Sequence, residues 1–167
     1  MIPLVGSVQE FKNQYDIIKK CAIEIENKKN IKLKYKIGTM IELPRACLIA
    51  DQIAEYADFF SFGTNDLTQT TFGFSRDDVS GLLGDYMNKN IIPKDPFKSI
   101  DIDGVGKLVK IAVQKARKIN PKIKIGICGE HGGDPESISF FHNIGLDYVS
   151  CSPFRVPISI LTTAKFI

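Results

Sequence analysis

The chain has 167 residues, 44% of them hydrophobic and 25% charged, which is the make-up of one folded domain rather than of a disordered segment. Its net charge is only +3, and the lysine-rich stretch from Lys28 to Lys36 lacks the interleaved aromatic residues of a nucleic-acid site. No run of 18 or more apolar residues occurs. We therefore expect a domain that neither binds nucleic acid nor spans a membrane.

The four cysteines indicate a reducing compartment. They are widely spaced and form no C-x-x-C pair, so neither a disulfide framework nor a zinc site is favoured. We expect a cytoplasmic protein, although an organelle-targeting segment would lie upstream of Met1.

The first predicted elements alternate between strand and helix. Residues 1–5 form a short apolar run, and Ser7 with Glu10 three residues later is a capping box that predicts a helix to about Asn27. Residues 35–43 are predicted to be a second strand. Pro44 then opens a helix whose apolar positions form one stripe.

A third predicted strand, residues 59–62, ends at Gly63 and is followed by a long stretch of weak periodicity. From 63 to about 102, glycine and aspartate are frequent, and only residues 79–87 are typical of a helix. Loops of this length are usually functional. We therefore expect part of the functional site in this stretch.

The rest of the chain predicts helices over 105–119, 134–143 and 152–167, with strands over 123–128 and 148–151. Five short, nearly all-apolar strands that alternate with helices indicate an α/β fold with a parallel sheet. A doubly wound nucleotide fold would place a glycine-rich loop after its first strand, and Gly6-Ser7 offers none. The sequence instead favours a partial (β/α)8 TIM barrel, roughly its last five βα units, with residues 1–167 as a single domain.

Two acidic residues stand where predicted strands end. Glu42 closes the apolar stretch Met40-Ile41, and Asp66 follows Gly63 by three residues. In a barrel both carboxylates would reach the same rim, where they repel each other unless a cation lies between them. Carboxylate oxygens suit Mg²⁺, so we predict that Glu42 and Asp66 are metal ligands. The alternative for each acid is a helix cap or an ion pair.

Cys128 ends another predicted strand, with glycines on both sides that allow a substrate to come close. A cysteine with its usual pKa of about 8.5 is a thiol at neutral pH, which suits a proton donor better than a nucleophile. The alternative is an inert, packed side chain. His131 lies in a glycine turn, where a structural role, or a role in supporting neighbouring site residues, is favoured over that of a phosphoryl carrier or a metal ligand.

Several motifs, in order, closely resemble those of the pyruvate phosphate dikinases, which belong to the phosphoenolpyruvate-utilising enzymes. The stretches that carry the resemblance are GTMIELPR (38–45), FFSFGTNDLTQ (59–69), TFGFSRDD (71–78), CGEHGGDP (128–135) and GLDYVSCSPFRVP (145–157). The first two are shared in looser form with phosphoenolpyruvate synthase, and the last two resemble the dikinases more specifically. The resemblance covers the whole chain.

This resemblance implies a role for each candidate residue. Glu42 and Asp66 would hold magnesium, and Cys128 would protonate the enolate carbon or, in reverse, remove a methyl proton from pyruvate. Asn65, with the backbone amides of Thr64 to Asp66, would bind the carboxylate or phosphoryl group of the substrate. The side chains of Ser61 and Tyr148 would lie close by.

The resemblance also implies partners and limits. The phosphoryl-binding arginines of the early barrel strands, the phosphohistidine domain and the nucleotide-binding domain would lie upstream of Met1, so we expect a fragment that is inactive alone. The parent enzyme would be a homodimer through the barrel and would interconvert ATP, phosphate and pyruvate with AMP, pyrophosphate and phosphoenolpyruvate. Three alternatives stay open: a phosphoenolpyruvate synthase-like enzyme, a metal-dependent pyruvate lyase or aldolase, and a non-catalytic assembly module.

Overall fold

A computed structural model describes residues 1–166, which form an α/β fold around one parallel sheet. Its four strands are β1 (Thr39–Ile41), β2 (Phe59–Gly63), β3 (Lys124–Cys128) and β4 (Tyr148–Val149), and they lie in that order. Each strand pairs with the strand next to it in sequence, so the strand order proceeds in one direction across the sheet. In a doubly wound sheet this order reverses at one point. This confirms the predicted α/β class and is consistent with part of a barrel.

Within residues 1–166 the sheet has four strands rather than five, because the first predicted strand, at residues 1–5, is wrong. Only Ile2 reaches the sheet, through a single parallel bridge to Thr39. Leu4 then has a φ of 52°, outside the range of a strand, and its N–H donates to the Glu42 carboxylate rather than to a strand carbonyl. The chain start therefore lies beside β1 in the predicted order, but it does not continue as a strand.

The second predicted strand, 35–43, is real but shorter. At its start the backbone N–H of Ile37 donates to the Asp58 carboxylate, 2.7 Å away, rather than to a strand carbonyl. Regular pairing therefore begins only at Thr39, opposite Phe60. The helix predicted from Pro44 is also divided, into α2 (Pro44–Leu48) and α3 (Ala50–Ala54), because the backbone of Ile49 departs from helical geometry.

The capping box is confirmed at the start of α1 (Val8–Lys29). The Ser7 hydroxyl accepts from the Glu10 N–H at 3.2 Å, and the Glu10 carboxylate accepts from the Ser7 N–H at 2.8 Å. The helix ends at Asn30, which has a φ of 51°. Such a reciprocal cap satisfies two backbone donors at the helix start.

The stretch predicted as irregular contains a helix that the sequence pattern missed, α4 (Thr64–Phe72), besides α5 (Ser80–Asn88). After it come a π-helical turn (Ile102–Gly106) capped by Asp101, α6 (Lys107–Ile119) and α7 (Pro135–Asn143). The predicted last helix is α8 (Val156–Thr163) between two short 3-10 turns, Pro153–Arg155 and Ala164–Phe166. Ile167 lies outside the described residues.

The core lies between the sheet and its helices. Phe60 and Phe62 of β2 and Ile125 and Ile127 of β3 are fully buried, and α6 adds a stripe at Val109, Ala112, Val113 and Ala116. Each large buried apolar side chain contributes about 1.5–3 kcal/mol. This packing fixes the strands, and therefore the side chains at their ends.

No helix in the described part of the chain is long and apolar enough to cross a membrane.

The thiols of Cys47 and Cys21 are expected to differ in reactivity. Cys47 is fully buried, and burial raises its pKa to about 12, so only on the order of 10⁻⁴ of it is thiolate at pH 8. At any pH below that pKa, the rate at which Cys47 reacts with iodoacetamide should increase about tenfold when the pH is raised by one unit. Cys21 is exposed on α1 and should be alkylated first, as peptide mass spectrometry would show. Equal labelling of both thiols before denaturant is added would contradict the fold.

Candidate active site

The three candidate catalytic positions lie at the carboxyl ends of three adjacent strands. Glu42 follows the last residue of β1, Cys128 is the last residue of β3, and Gly63 pairs with Cys128 across β2 and β3. Thr64 begins α4 directly after Gly63, so Asp66 lies in the first turn of that helix. The strand alternation therefore brings the predicted residues to one edge of the sheet.

Glu42 is a buried carboxylate, with only 1% of its surface exposed. Its Oε1 accepts a hydrogen bond of 2.7 Å from the Leu4 N–H. Burial raises its pKa, the Leu4 hydrogen bond lowers it, and both the charge of the Asp66 carboxylate and a hydrogen bond between the two side chains raise it further. The side chain crosses the end of β2, because a Cβ at Gly63 would overlap Glu42 Oε2. Gly63 is thus a requirement of the site that the sequence reasoning did not identify.

Asp66 lies next to Glu42 and is partly exposed. Its Oδ1 accepts a hydrogen bond of 3.1 Å from Gln69 Nε2, one turn along α4. The charge of Asp66 raises the pKa of Glu42. Among residues 1–166 neither carboxylate forms a salt bridge, so the adjacent pair fits a divalent cation, which would remove their repulsion.

Among residues 1–166, no group of three or more His, Cys, Asp and Glu side chains is arranged to hold a metal ion by itself. Magnesium is commonly held by one or two carboxylates together with water and substrate oxygens. The donor set of Glu42 and Asp66 therefore fits Mg²⁺ better than it fits zinc, which takes a closed set of nitrogen and sulfur ligands in structural sites.

The first turn of α4 also offers polar groups to a small anion. The N–H groups of Thr64, Asn65 and Asp66 are the first three of the helix, where backbone donors have no partner within the helix. The Oδ1 of Asn65 is buried and has no hydrogen-bond partner in the part of the chain that the structure describes. A buried amide oxygen without a partner is costly, so a ligand donor or water at this point would be favoured.

Cys128 is half-buried, and its Sγ lies 3.6 Å from the carbonyl oxygen of Phe62. Burial raises the pKa of the thiol, and the charges of Glu42 and Asp66 raise it further, while a hydrogen bond with Ser61 lowers it. Positions 42, 66 and 128 follow or end the adjacent strands β1, β2 and β3, and both carboxylates are near enough to the sulfur to act on its pKa. A raised pKa favours the thiol form of Cys128 at neutral pH, and its role as a proton donor stays a prediction.

Tyr148 lies deeper than the strand ends. Its ring covers Gly126, where a Cβ would overlap it, and its hydroxyl donates to the carbonyl oxygen of Phe60 at 3.3 Å. Burial raises the pKa of the phenol, and a hydrogen bond with the buried Ser61 lowers it. Tyr148 thus bridges three strands beneath Cys128, and its role in substrate binding stays a prediction.

His131 is fully buried in the 3-10 turn Glu130–Gly133, and both its ring nitrogens have hydrogen-bond partners. Burial lowers the pKa of His131. This environment agrees with the structural role that the glycine turn favoured.

The chain is similar to one family and to several named relatives. Residues 1–165 match the PEP-binding domain of the PEP-utilising enzymes. All 167 residues are 58% identical to pyruvate, phosphate dikinase 1, chloroplastic, from Arabidopsis thaliana and 56% identical to the chloroplastic pyruvate, phosphate dikinase of Flaveria trinervia. Over 165 residues, or 99% of the chain, it is 56% identical to pyruvate, phosphate dikinase 2 from Zea mays.

The chain spans 17%, 18% and 19% of the lengths of these three relatives. The word chloroplastic in two of the names describes those plant proteins, and the cytoplasmic location expected for this chain stays a prediction. With a match over nearly its full length, the chain belongs to the PEP-utilising enzymes, through their PEP-binding domain.

Proposed function

We propose that this chain is the pyruvate- and phosphoenolpyruvate-binding part of a pyruvate phosphate dikinase. The observation that carries the proposal is the convergence of Glu42, Asp66 and the Cys128 thiol at three adjacent strand ends. Identity of 54–58% to dikinases over essentially the whole chain supports the same assignment. The parent reaction would be ATP + phosphate + pyruvate to AMP + pyrophosphate + phosphoenolpyruvate, and its reverse.

The proposal includes the domain organisation. Residues 1–167 would be a single domain, the carboxy-terminal part of a (β/α)8 barrel, and the sequential parallel order of the strands supports this. The other strands, the phosphohistidine domain and the nucleotide-binding domain would belong to a longer chain, since this chain spans only 17–19% of the length of its relatives. The 167 residues alone would be inactive, because they would have no phosphoryl donor.

Glu42 and Asp66 would hold Mg²⁺, since a cation between them would relieve the repulsion through which the Asp66 charge raises the pKa of Glu42. When bound, the ion would stabilise negative charge on the oxygen of the pyruvate enolate as a Lewis acid. The N–H groups of the first turn of α4 and the side-chain Nδ2–H₂ group of Asn65 would donate to the carboxylate or phosphoryl group. Ser61 would orient the Cys128 thiol through their hydrogen bond.

Cys128 would move the proton at the methyl carbon. Toward phosphoenolpyruvate, its thiolate would take one proton from the methyl group, and the C–H electron pair would become the enolate double bond. In reverse, the S–H would return that proton to the methylene carbon and leave the thiolate. The raised pKa of Cys128 makes it a thiol at rest, which suits the return step.

The complete protein tests this function directly. With Mg²⁺, pyruvate, ATP and phosphate, we expect AMP, pyrophosphate and phosphoenolpyruvate in equal amounts, and no turnover when phosphate is omitted. A phosphoenolpyruvate synthase-like enzyme would instead turn over without added phosphate and release phosphate rather than pyrophosphate. A pyruvate lyase or aldolase would form no AMP, and that result would rule out the dikinase assignment.

Assembly through this domain is a second candidate function. The face around α8 exposes apolar side chains, including Phe154 at 94%, Leu161 at 68% and Ile160 at 62%. We expect the 167-residue chain to self-associate in sedimentation velocity, and Phe154→Lys with Leu161→Lys to reduce this. A well-behaved monomer at high concentration would count against both the assembly role and a homodimer through this face.

A further inference from the structure

The buried ring of His131 has one hydrogen-bond partner on each nitrogen. Nε2 lies 2.9 Å from the carbonyl oxygen of Pro96, and Nδ1 lies 2.7 Å from Oγ1 of Thr64. The residue is fully buried, so water does not compete for either contact. One ring therefore connects three segments: the turn after β3, the first turn of α4 and the loop before the π-helical turn.

The chemistry of these partners sets the direction of both hydrogen bonds. A carbonyl oxygen can only accept, so Nε2 carries the ring hydrogen and donates to Pro96. Burial lowers the pKa of His131, which keeps the ring neutral with a single N–H. Nδ1 must then accept, and the Thr64 hydroxyl must donate to it.

The position of Thr64 makes this hydrogen bond relevant to the candidate site. Thr64 is the first residue of α4, and Asn65 and Asp66 follow it in the same turn. A Cβ at Gly129, next to Cys128, would lie 3.0 Å from Thr64 Oγ1 and 3.4 Å from Asn65 Oδ1. Both oxygens therefore face the turn that follows the candidate proton donor. With its only hydrogen given to His131, the Thr64 oxygen faces this turn as an acceptor.

We propose that His131 is a positioning residue: by accepting the hydroxyl hydrogen of Thr64, it holds the first turn of α4 in the orientation in which Asn65 and Asp66 meet the substrate. This inference rests on the proposed function. The contact with Pro96 fixes the ring from the opposite side, so the orientation of the turn depends on how the loop before the π-helical turn is packed.

Two substitutions separate the two nitrogens of the ring. His131→Asn places an amide oxygen near the position of Nδ1, so it can still accept from Thr64. His131→Gln places its amide near Nε2, so it can still donate to Pro96 but leaves Thr64 without its acceptor. His142, the other histidine, is exposed on α7 and supplies a matched control, His142→Gln.

The test measures kcat/KM for pyruvate in the complete protein. Loss of one hydrogen bond of about 1.4 kcal/mol corresponds to tenfold. We expect His131→Gln to lower kcat/KM about tenfold and His131→Asn to recover most of that loss. In a Thr64→Val background, His131→Gln should lower kcat/KM by less than about twofold, because valine has already removed the hydrogen bond between Thr64 and His131. Equal losses in the two His131 variants, or an undiminished loss in the Thr64→Val background, would indicate packing alone and overturn the proposal.

Two further results remain decisive. If His131→Gln does not fold, as judged by circular dichroism, Thr64→Ser and Thr64→Val replace it, and kcat/KM should be at least about threefold lower for valine. Equal values for serine and valine would overturn the proposal. If the wild-type protein does not turn over pyruvate, the proposed function fails and this inference fails with it, whereas active wild type with unaffected His131 variants overturns this inference alone.

Discussion

Replacing Cys128 with alanine is expected to slow the exchange of pyruvate methyl protons with solvent by a factor of about 10³. General acid–base catalysis by a positioned side chain contributes roughly 10²–10⁴-fold, and alanine has no exchangeable proton. The Tyr148 hydroxyl is not free to replace the thiol, since it donates to the Phe60 carbonyl. Deuterium incorporation into pyruvate, followed by proton NMR with the complete protein, Mg²⁺ and D₂O, measures the effect.

A second cysteine provides the control for that experiment. Cys21 is exposed on α1, far along the chain from the strand ends, and Cys21→Ala should leave the exchange rate as it is. If Cys128→Ala exchanged protons at the wild-type rate, Cys128 would have no part in proton transfer. The sulfur would then be one more packed thiol, which was the alternative interpretation of the sequence.

Replacing Glu42 with glutamine is expected to lower kcat by about 10²–10³ and, in the absence of Mg²⁺, to raise the melting temperature. The expected loss in kcat is the size measured when one preorganised electrostatic group is removed from a reacting centre. The gain in stability follows from linkage: the folded pKa of Glu42 is raised, so its charged form opposes folding above the ordinary carboxyl pKa. Glutamine keeps an oxygen for the Leu4 N–H and removes the charge.

The same variant separates metal binding from fold stability. A ligand that binds only the folded state raises the melting temperature, so Mg²⁺ should stabilise the wild type and have little effect on Glu42→Gln. Glu24→Gln, at an exposed position of α1, is the control and should respond to Mg²⁺ as the wild type does. A lower melting temperature for metal-free Glu42→Gln, together with an undiminished Mg²⁺ effect, would contradict this account of Glu42.

The sequence pattern predicted the positions of the candidate residues in the sheet better than it predicted the local structure around them. Apolar strands that end in Glu42, Gly63 and Cys128 were sufficient to place those residues at one edge, because parallel strands end on the same side of a sheet. Helix α4 was missed because Thr and Asn have modest helix propensity, and it is held by burial of Thr64, Leu67 and Thr68. Burial of that kind depends on tertiary packing, which no local pattern contains.

Two other features could not be predicted for a similar reason. Residues 1–5 are apolar enough for a strand, yet the Leu4 N–H bonds to Glu42, 38 residues further along the chain. His131 bonds to Thr64 across 67 residues. Such long-range hydrogen bonds leave no periodic signal, and they are the contacts that fix the buried carboxylate and the first turn of α4.

Anomalous diffraction from crystals of the complete protein grown with Mn²⁺ and pyruvate would test most directly whether one divalent ion joins the carboxylates beside the thiol. We expect a single strong manganese peak within coordination distance of both Glu42 and Asp66, with the methyl carbon of pyruvate against Cys128 Sγ. A manganese peak bound elsewhere, with the side chains of Glu42, Asp66 and Cys128 separated by more than the length of pyruvate, would contradict the proposed site.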